Sequence, residues 1–113
     1  MVFTAGAALL DAVVLSVVSH EGTYGYKITQ DVQKVLDVSE STLYPVLRRL
    51  QKEGNLETYD QEFQGRNRRY YKITPNGMIL LDKYRREWLQ FEKGVNLILM
   101  GKEEGSLWQE KNI

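Results

Sequence analysis

Apolar residues recur along this chain at spacings that divide it into helix, helix, helix, hairpin and long helix. Residues 3–18 are apolar on nearly every side, and Leu9, Leu10, Val13, Val14, Val17 and Val18 are too many to share one face. A helix of that kind needs cover on both sides, and in a chain this small the second cover is expected from another subunit. His20-Glu21-Gly22 ends it, with Gly22 suited to a left-handed C-terminal position. Residues 24–36 predict a second helix, because Ile28, Val32, Val35 and Leu36 fall at i, i+4, i+7 and i+8. Ser39 suits the N-cap of a third helix over residues 40–53, with Leu43, Val46, Leu47 and Leu50 inward and Gly54 as its stop. Pro45 removes a hydrogen bond inside that helix, so an irregular or bent first turn is expected, without a break.

Two strands are expected next, over residues 56–61 and 68–73, joined by a polar loop with one glycine at 62–67. Alternation places Tyr71 and Ile73 on one face of the second strand and Arg68, Tyr70 and Lys72 on the other. Thr74 caps the last helix, and Pro75 occupies its first position, where a missing N–H is harmless. That helix would continue to about Met100. Within it Leu81, Tyr84, Trp88, Phe91, Val95 and Ile98 are spaced 3, 4, 3, 4 and 3, a heptad seam that Leu80, Leu89, Leu97 and Leu99 broaden. Residues 102–113 are polar and expected to be a flexible tail.

Composition narrows the function classes. With 113 residues there is room for one modest core. The absence of cysteine excludes disulfides and thiolate metal sites and fits a reducing cytoplasm, while the single histidine, His20, leaves little for a metal centre or a Ser/His relay. No metal, cofactor or catalytic residue is therefore expected, and the chain is not read as an enzyme. The apolar first helix lacks a basic leading region and carries Asp11, which argues against a signal peptide or a membrane span. Fifteen basic and fifteen acidic residues cancel, mild evidence against a nucleic-acid binder. Their distribution is uneven, however: residues 48–72 hold seven basic and four acidic residues.

Those cations fall on two features. With the apolar face of the third helix inward, Ser41, Thr42, Tyr44, Arg48, Arg49 and Lys52 are left on outer surfaces, a set suited to reading a DNA groove. The blander reading is a solvated amphipathic helix. Arg66, Arg68 and Arg69 sit at and after the hairpin tip, where they suit phosphate or minor-groove contact, the blander reading being charged protection of an edge strand. The combination of two helices joined by a short turn with a basic hairpin directly after them is more specific than either part.

Three runs then resemble a known family. Tyr24-Gly25-Tyr26-Lys27-Ile28, Ser41-Thr42-Leu43-Tyr44-Pro45-Val46-Leu47-Arg48-Arg49-Leu50 with Gly54, and Gly65-Arg66 followed by Arg68-Arg69-Tyr70-Tyr71-Lys72-Ile73-Thr74 with Gly77 are similar to the PadR family of bacterial transcription regulators. The short single last helix resembles its compact, LmrR-like branch. The resemblance implies a mainly α fold with a small β-hairpin: a winged helix-turn-helix domain over 1–74, whose first helix also packs in the dimer, and a dimerisation helix over 75–101. It implies a homodimer that usually represses transcription from a pseudo-palindromic operator in double-stranded DNA and is released by a small aromatic or hydrophobic effector. Ser41, Thr42, Tyr44 and Arg48 would lie on the recognition helix, with Lys52, Arg66, Arg68 and Lys72 holding phosphates and Tyr24 and Lys27 approaching the backbone. The expected dimer interface is Leu81, Tyr84, Trp88, Phe91, Val95 and Ile98 with Leu9 and Val13. Trp88 aligns with a tryptophan that stacks on flat aromatic ligands, with Phe91 and Tyr84 beside it; plain dimer packing explains the same residues. The alternative function is a winged-helix module for protein–protein contact without DNA.

Overall fold

The computed structural model describes residues 6–101, so the predicted helix start before Gly6, the tail and Trp108 lie outside the described residues. In chain order the elements are α1 (Ala7–His20), β1 (Thr23–Tyr24), α2 (Gly25–Gln33), α3 (Glu40–Lys52), β2 (Leu56–Phe63), β3 (Arg66–Ile73) and α4 (Pro75–Met100). The strands form one antiparallel sheet in the order β1-β3-β2. This is a winged helix-turn-helix with a long C-terminal helix, as the periodicity and the resemblance implied.

The core gathers Val14, Leu15 and Val18 of α1, Ile28 and Val32 of α2, Leu43, Leu47 and Leu50 of α3, Leu56, Tyr71 and Leu81. Removing a side chain of this kind from water contributes about 1.5–3 kcal/mol, so these few residues carry much of the stability. α1 is the central element, packing against α2, α3, α4 and β3.

Several local expectations are corrected. α2 stops at Gln33, three residues early, because the chain turns at 34–39; Gln33 Nε2 donates to the Val38 carbonyl (2.8 Å) across that turn. Val35 therefore leaves the apolar stripe and is 74% exposed. Tyr24 lies outside the helix, as its extended N-cap and as a residue of β1, a strand too short for any alternation to announce it. Gly22 is not left-handed. It is small because a Cβ there would lie 2.7 Å from the Tyr59 hydroxyl. The predicted six-residue loop shrinks to Gln64-Gly65, both with positive φ (54° and 78°), the two-residue turn whose twist matches a hairpin. Polar Glu62, Arg66 and Asn67 disguised the strand ends. α3 runs unbroken through Pro45, and its first turn shares the Ser39 carbonyl between the N–H groups of Thr42 and Leu43.

Ser39 caps α3 through the Thr42 N–H (3.2 Å), and Thr74 caps α4 through the Gly77 N–H (3.0 Å). Thr74 does more than cap. Its hydroxyl donates to the Gly54 carbonyl (2.6 Å) and its N–H to the Asn55 carbonyl (3.2 Å), joining the end of α3 to the start of α4. Gly77 is buried in this joint, where a Cβ would collide with the Asn55 carbonyl oxygen and lie 2.7 Å from Ile73 Cγ1.

One charge is buried in the apolar α1. Asp11, 5% exposed, accepts from Arg49 Nη2 of α3 at 2.6 Å, and the Tyr84 hydroxyl of α4 donates to the same carboxyl. Arg49 Nη1 also reaches Glu53 Oε1 (3.3 Å). Burial pushes the Asp11 carboxyl above its ordinary range, outweighing the downward pull of Arg49 and Tyr84, while the bond to Asp11 holds Arg49 more firmly protonated.

Two outcomes are expected. Gly77→Ala should lower stability by about 2–3 kcal/mol, read as a lower urea midpoint at unchanged slope, since the obstacle is backbone; an unshifted midpoint would mean the joint yields freely. For Asp11, the folded state binds the proton more tightly than the unfolded chain, whose carboxyl titrates near 3.8. Its contribution to stability is thus fully present below that value and declines as pH rises from there through the higher folded value. The stability of the protein minus that of Asp11→Asn should fall across this window and level off above it. A difference that climbs with pH would show that Arg49 dominates over burial.

Candidate nucleic-acid interface

The rotational setting of α3 decides which residues face outward. Leu43, Leu47 and Leu50 are buried, Val46 is half-buried, and Ser41, Thr42, Pro45, Arg48 and Lys52 are exposed. One expectation about this face changes and one gains a partner. Arg49 is exposed as expected, and it also pairs with the buried Asp11 of α1, whose carboxylate needs a cation. Tyr44 is half-buried: it packs against Gly25 at the start of α2, where a Cβ would come within 2.7 Å of its ring. Burial raises its phenol pKa, so it remains a neutral donor. The Ser41 and Thr42 hydroxyls both lie within hydrogen-bond distance of Ser39 Oγ (2.9 and 3.1 Å), which presents them together at the helix start.

The wing's register sorts its side chains into two faces. Thr58, Leu56, Ile73, Tyr71, Asp60 and Arg69 lie on the core side, with Glu57, Tyr59, Gln61, Phe63, Arg66, Arg68, Tyr70 and Lys72 on the other. The outer face is more than a row of cations. Tyr70 is buried there between Tyr24 and Tyr59, with ring centroids at 5.5 and 5.4 Å, and Tyr24 continues to Phe63 at 5.7 Å. The Arg68 guanidinium lies 4.7 Å over the Tyr24 ring and 5.7 Å from that of Phe63. Arg66 and Lys72 are exposed, and among the described residues Arg48, Lys52, Arg66 and Lys72 have no ion-pair partner. Lys27, exposed on α2, is paired with Asp31 (2.8 Å), whose carboxyl it holds below the ordinary range. Sequence reading missed Phe63 and Tyr59, although their alternation with Gln61 was there to be seen.

Away from this surface, α1 and α4 enclose an apolar groove of about 480 Å³, lined by Leu9, Val13, Tyr84, Trp88 and Leu89 among others. Trp88 is 37% exposed at its edge and packs against Phe91 at 5.9 Å between centroids. Leu81, expected at a subunit interface, is buried in the core of its own chain, because α4 begins by packing on α1 and the sheet. Phe91 and Val95 are half-buried and Ile98 is exposed. Among the described residues no group of three His, Cys, Asp or Glu side chains is placed to hold a metal, and no helix is long and apolar enough to cross a membrane.

The geometry has counterparts in known proteins. The sequence profile of the transcriptional regulator PadR-like family matches residues 14–83. The chain is 31% identical over 99 residues to an uncharacterised protein of Lysinibacillus sphaericus, covering 83% of this chain and 91% of that one. It is 39% identical over 64 residues to the transcriptional regulator Rv3488 of Mycobacterium tuberculosis, covering 56% of this chain and 60% of that protein. Among solved structures, smu.1704 of Streptococcus mutans superposes with a TM-score of 0.82 at 37% identity, covering 94% of this chain and all of the other. The PadR-like transcriptional regulator BC4206 of Bacillus cereus gives 0.77 at 32% identity over 84% of this chain and 95% of its own. Profile, relatives and fold agree: this chain belongs to the PadR-like family of transcriptional regulators.

Proposed function

We propose that the chain acts as a homodimeric, sequence-specific DNA-binding repressor, released when a small aromatic or hydrophobic molecule enters the groove between α1 and α4. The observation that carries the DNA reading is the shared outward direction of Arg48 and Lys52 on α3, with the exposed Arg66 on the adjoining wing. Ser41, Thr42 and Arg48 would meet base edges, and Lys52, Arg66 and Lys72 would hold phosphates. Tyr44 would support α3 against Gly25 rather than reach far into a groove, and Tyr24 and Lys27 would lie beside the backbone. Two-fold symmetry would set the paired α3 helices one DNA turn apart, ~34 Å.

The dimer reading rests on the apolar residues that a single chain leaves uncovered. Leu89, Ile98, Leu99 and Met100 of α4 are each more than 60% exposed, and Trp88 is partly so. Residues 75–101 would thus form the dimerisation arm, joined by Leu9 and Val13 of α1 and by Phe91 and Val95. The groove suits a flat apolar effector in shape and lining, and Tyr84 at its wall hydrogen-bonds Asp11, which in turn holds Arg49 of the reading helix. An effector acts only if it binds one arrangement of the two reading heads more tightly than the other.

Anisotropy titrations with the duplex upstream of the chain's own gene test the DNA reading. Arg48→Ala should cost about 1–3 kcal/mol and relax discrimination at one base position. Lys52→Ala should weaken all sequences alike and flatten the salt dependence by ~0.9 log units. Absence of binding at low salt would instead favour a protein–protein module. For the groove, flat aromatic compounds should quench Trp88 in a Trp108→Phe background, and calorimetric titration should find no binding once Trp88 is alanine; binding heat that outlasts Trp88→Ala would place the effector elsewhere.

A further inference from the structure

Arg68 differs from the other cations of the wing. Its guanidinium lies against a pair of rings, 4.7 Å from Tyr24 and 5.7 Å from Phe63, which are themselves 5.7 Å apart. Its Nε is shielded from solvent and has no hydrogen-bond partner among the described residues. Side-on recognition of a phosphate uses two parallel N–H groups on one edge of the guanidinium fork. With Nε closed off, the edge that includes it is not available for that grip. Stacking, not hydrogen bonding, therefore fixes this side chain.

The two rings it touches come from distant parts of the fold. Phe63 is the last residue of β2 before the turn, and Tyr24 is the residue from which α2 starts. Arg68 thus spans from the wing tip to the base of the helix-turn-helix. We propose that Arg68 is a positioning residue: it clamps the tip of the wing to Tyr24 and so aims Arg66 at the DNA, without itself neutralising a phosphate. This rests on the DNA-binding reading above, and it separates two arginines that lie on the same face of the wing. Beside the direct Tyr24–Phe63 contact, Arg68 is the side chain that joins the tip of this hairpin to Tyr24. A swaying tip loses freedom on binding, so fixing it beforehand raises affinity without adding a contact.

Salt dependence distinguishes a clamp from a contact. The full-length protein is titrated with a short mixed-sequence duplex over a range of salt, with thermal melts confirming that each variant is folded. Arg68→Met should weaken binding roughly tenfold at an unchanged slope of log affinity against log salt, whereas Arg66→Ala should reduce that slope by ~0.9. Arg68→Lys, which keeps the charge but not the stacking plane, should recover only part of the loss. Phe63→Leu, which removes no charge, should mimic Arg68→Met, and the double variant should be no worse than the weaker single. Hydrogen exchange in the free protein should rise several-fold around Phe63 and Arg66 in both variants and stay unchanged in α3. The assignment is overturned by a slope that drops in Arg68→Met, by full rescue with lysine, by additive losses in the double variant, or by unaltered exchange at the tip. If the unmodified protein binds no duplex, it is the DNA reading that fails, and the exchange measurement alone then decides the clamp.

Discussion

A carboxylate inside an apolar helix must find a cation, and that requirement organises this molecule. Asp11 sits on α1, which every other helix packs against, and its countercharge comes from Arg49 on α3. The buried Leu43, Leu47 and Leu50 set the inward face of α3 and leave Arg48 and Lys52 in solvent, while Arg49, itself 43% exposed, reaches along the flank to Asp11. The pair contributes little net stability, since the Asp11 carboxyl is disfavoured by its burial. What it supplies is one specific tether between α1 and α3, beside the three buried leucines that face the core.

A second constraint fixes the long helix. Thr74 hydrogen-bonds Gly54 and Asn55, and Gly77 fits closely under the same backbone. The segment after α3 meets the start of α4 here, so the angle between the two helices is set by these short contacts. Tyr84, seven residues beyond Gly77, bonds Asp11, linking the wall of the apolar groove to the carboxyl that pairs with Arg49 of α3.

Much of this was legible in the residues alone. Helical spacing located α1, α3 and α4, and Ser39, Thr74, Pro75 and Gly54 marked their ends, because caps and breakers act through local backbone geometry. The outward placement of Ser41, Thr42, Arg48 and Lys52 followed from the inward leucines. What stayed hidden depends on contacts distant in sequence. Arg49 is the surface residue it reads as, but its pairing with Asp11, 38 positions earlier, has no local signal. Tyr44 reads as exposed until the glycine beneath its ring is seen, and Gly22 reads as a helix stop when it is clearance for Tyr59. The wing's strands looked shorter because their polar ends alternate with too few apolar residues to show a period. Val35 and Leu81 erred in opposite directions, one assigned to the core and found in water, the other assigned to a partner and found in the core.

The joint at Thr74 also makes the spacing of α4 a matter of phase. Each residue inserted between Gly77 and Trp88 would rotate everything downstream by about 100° and advance it about 1.5 Å. Only steps near a whole turn would return Trp88 to the groove beside α1. The wing's exposed two-residue turn can absorb a change in length; this segment of α4 has no such slack.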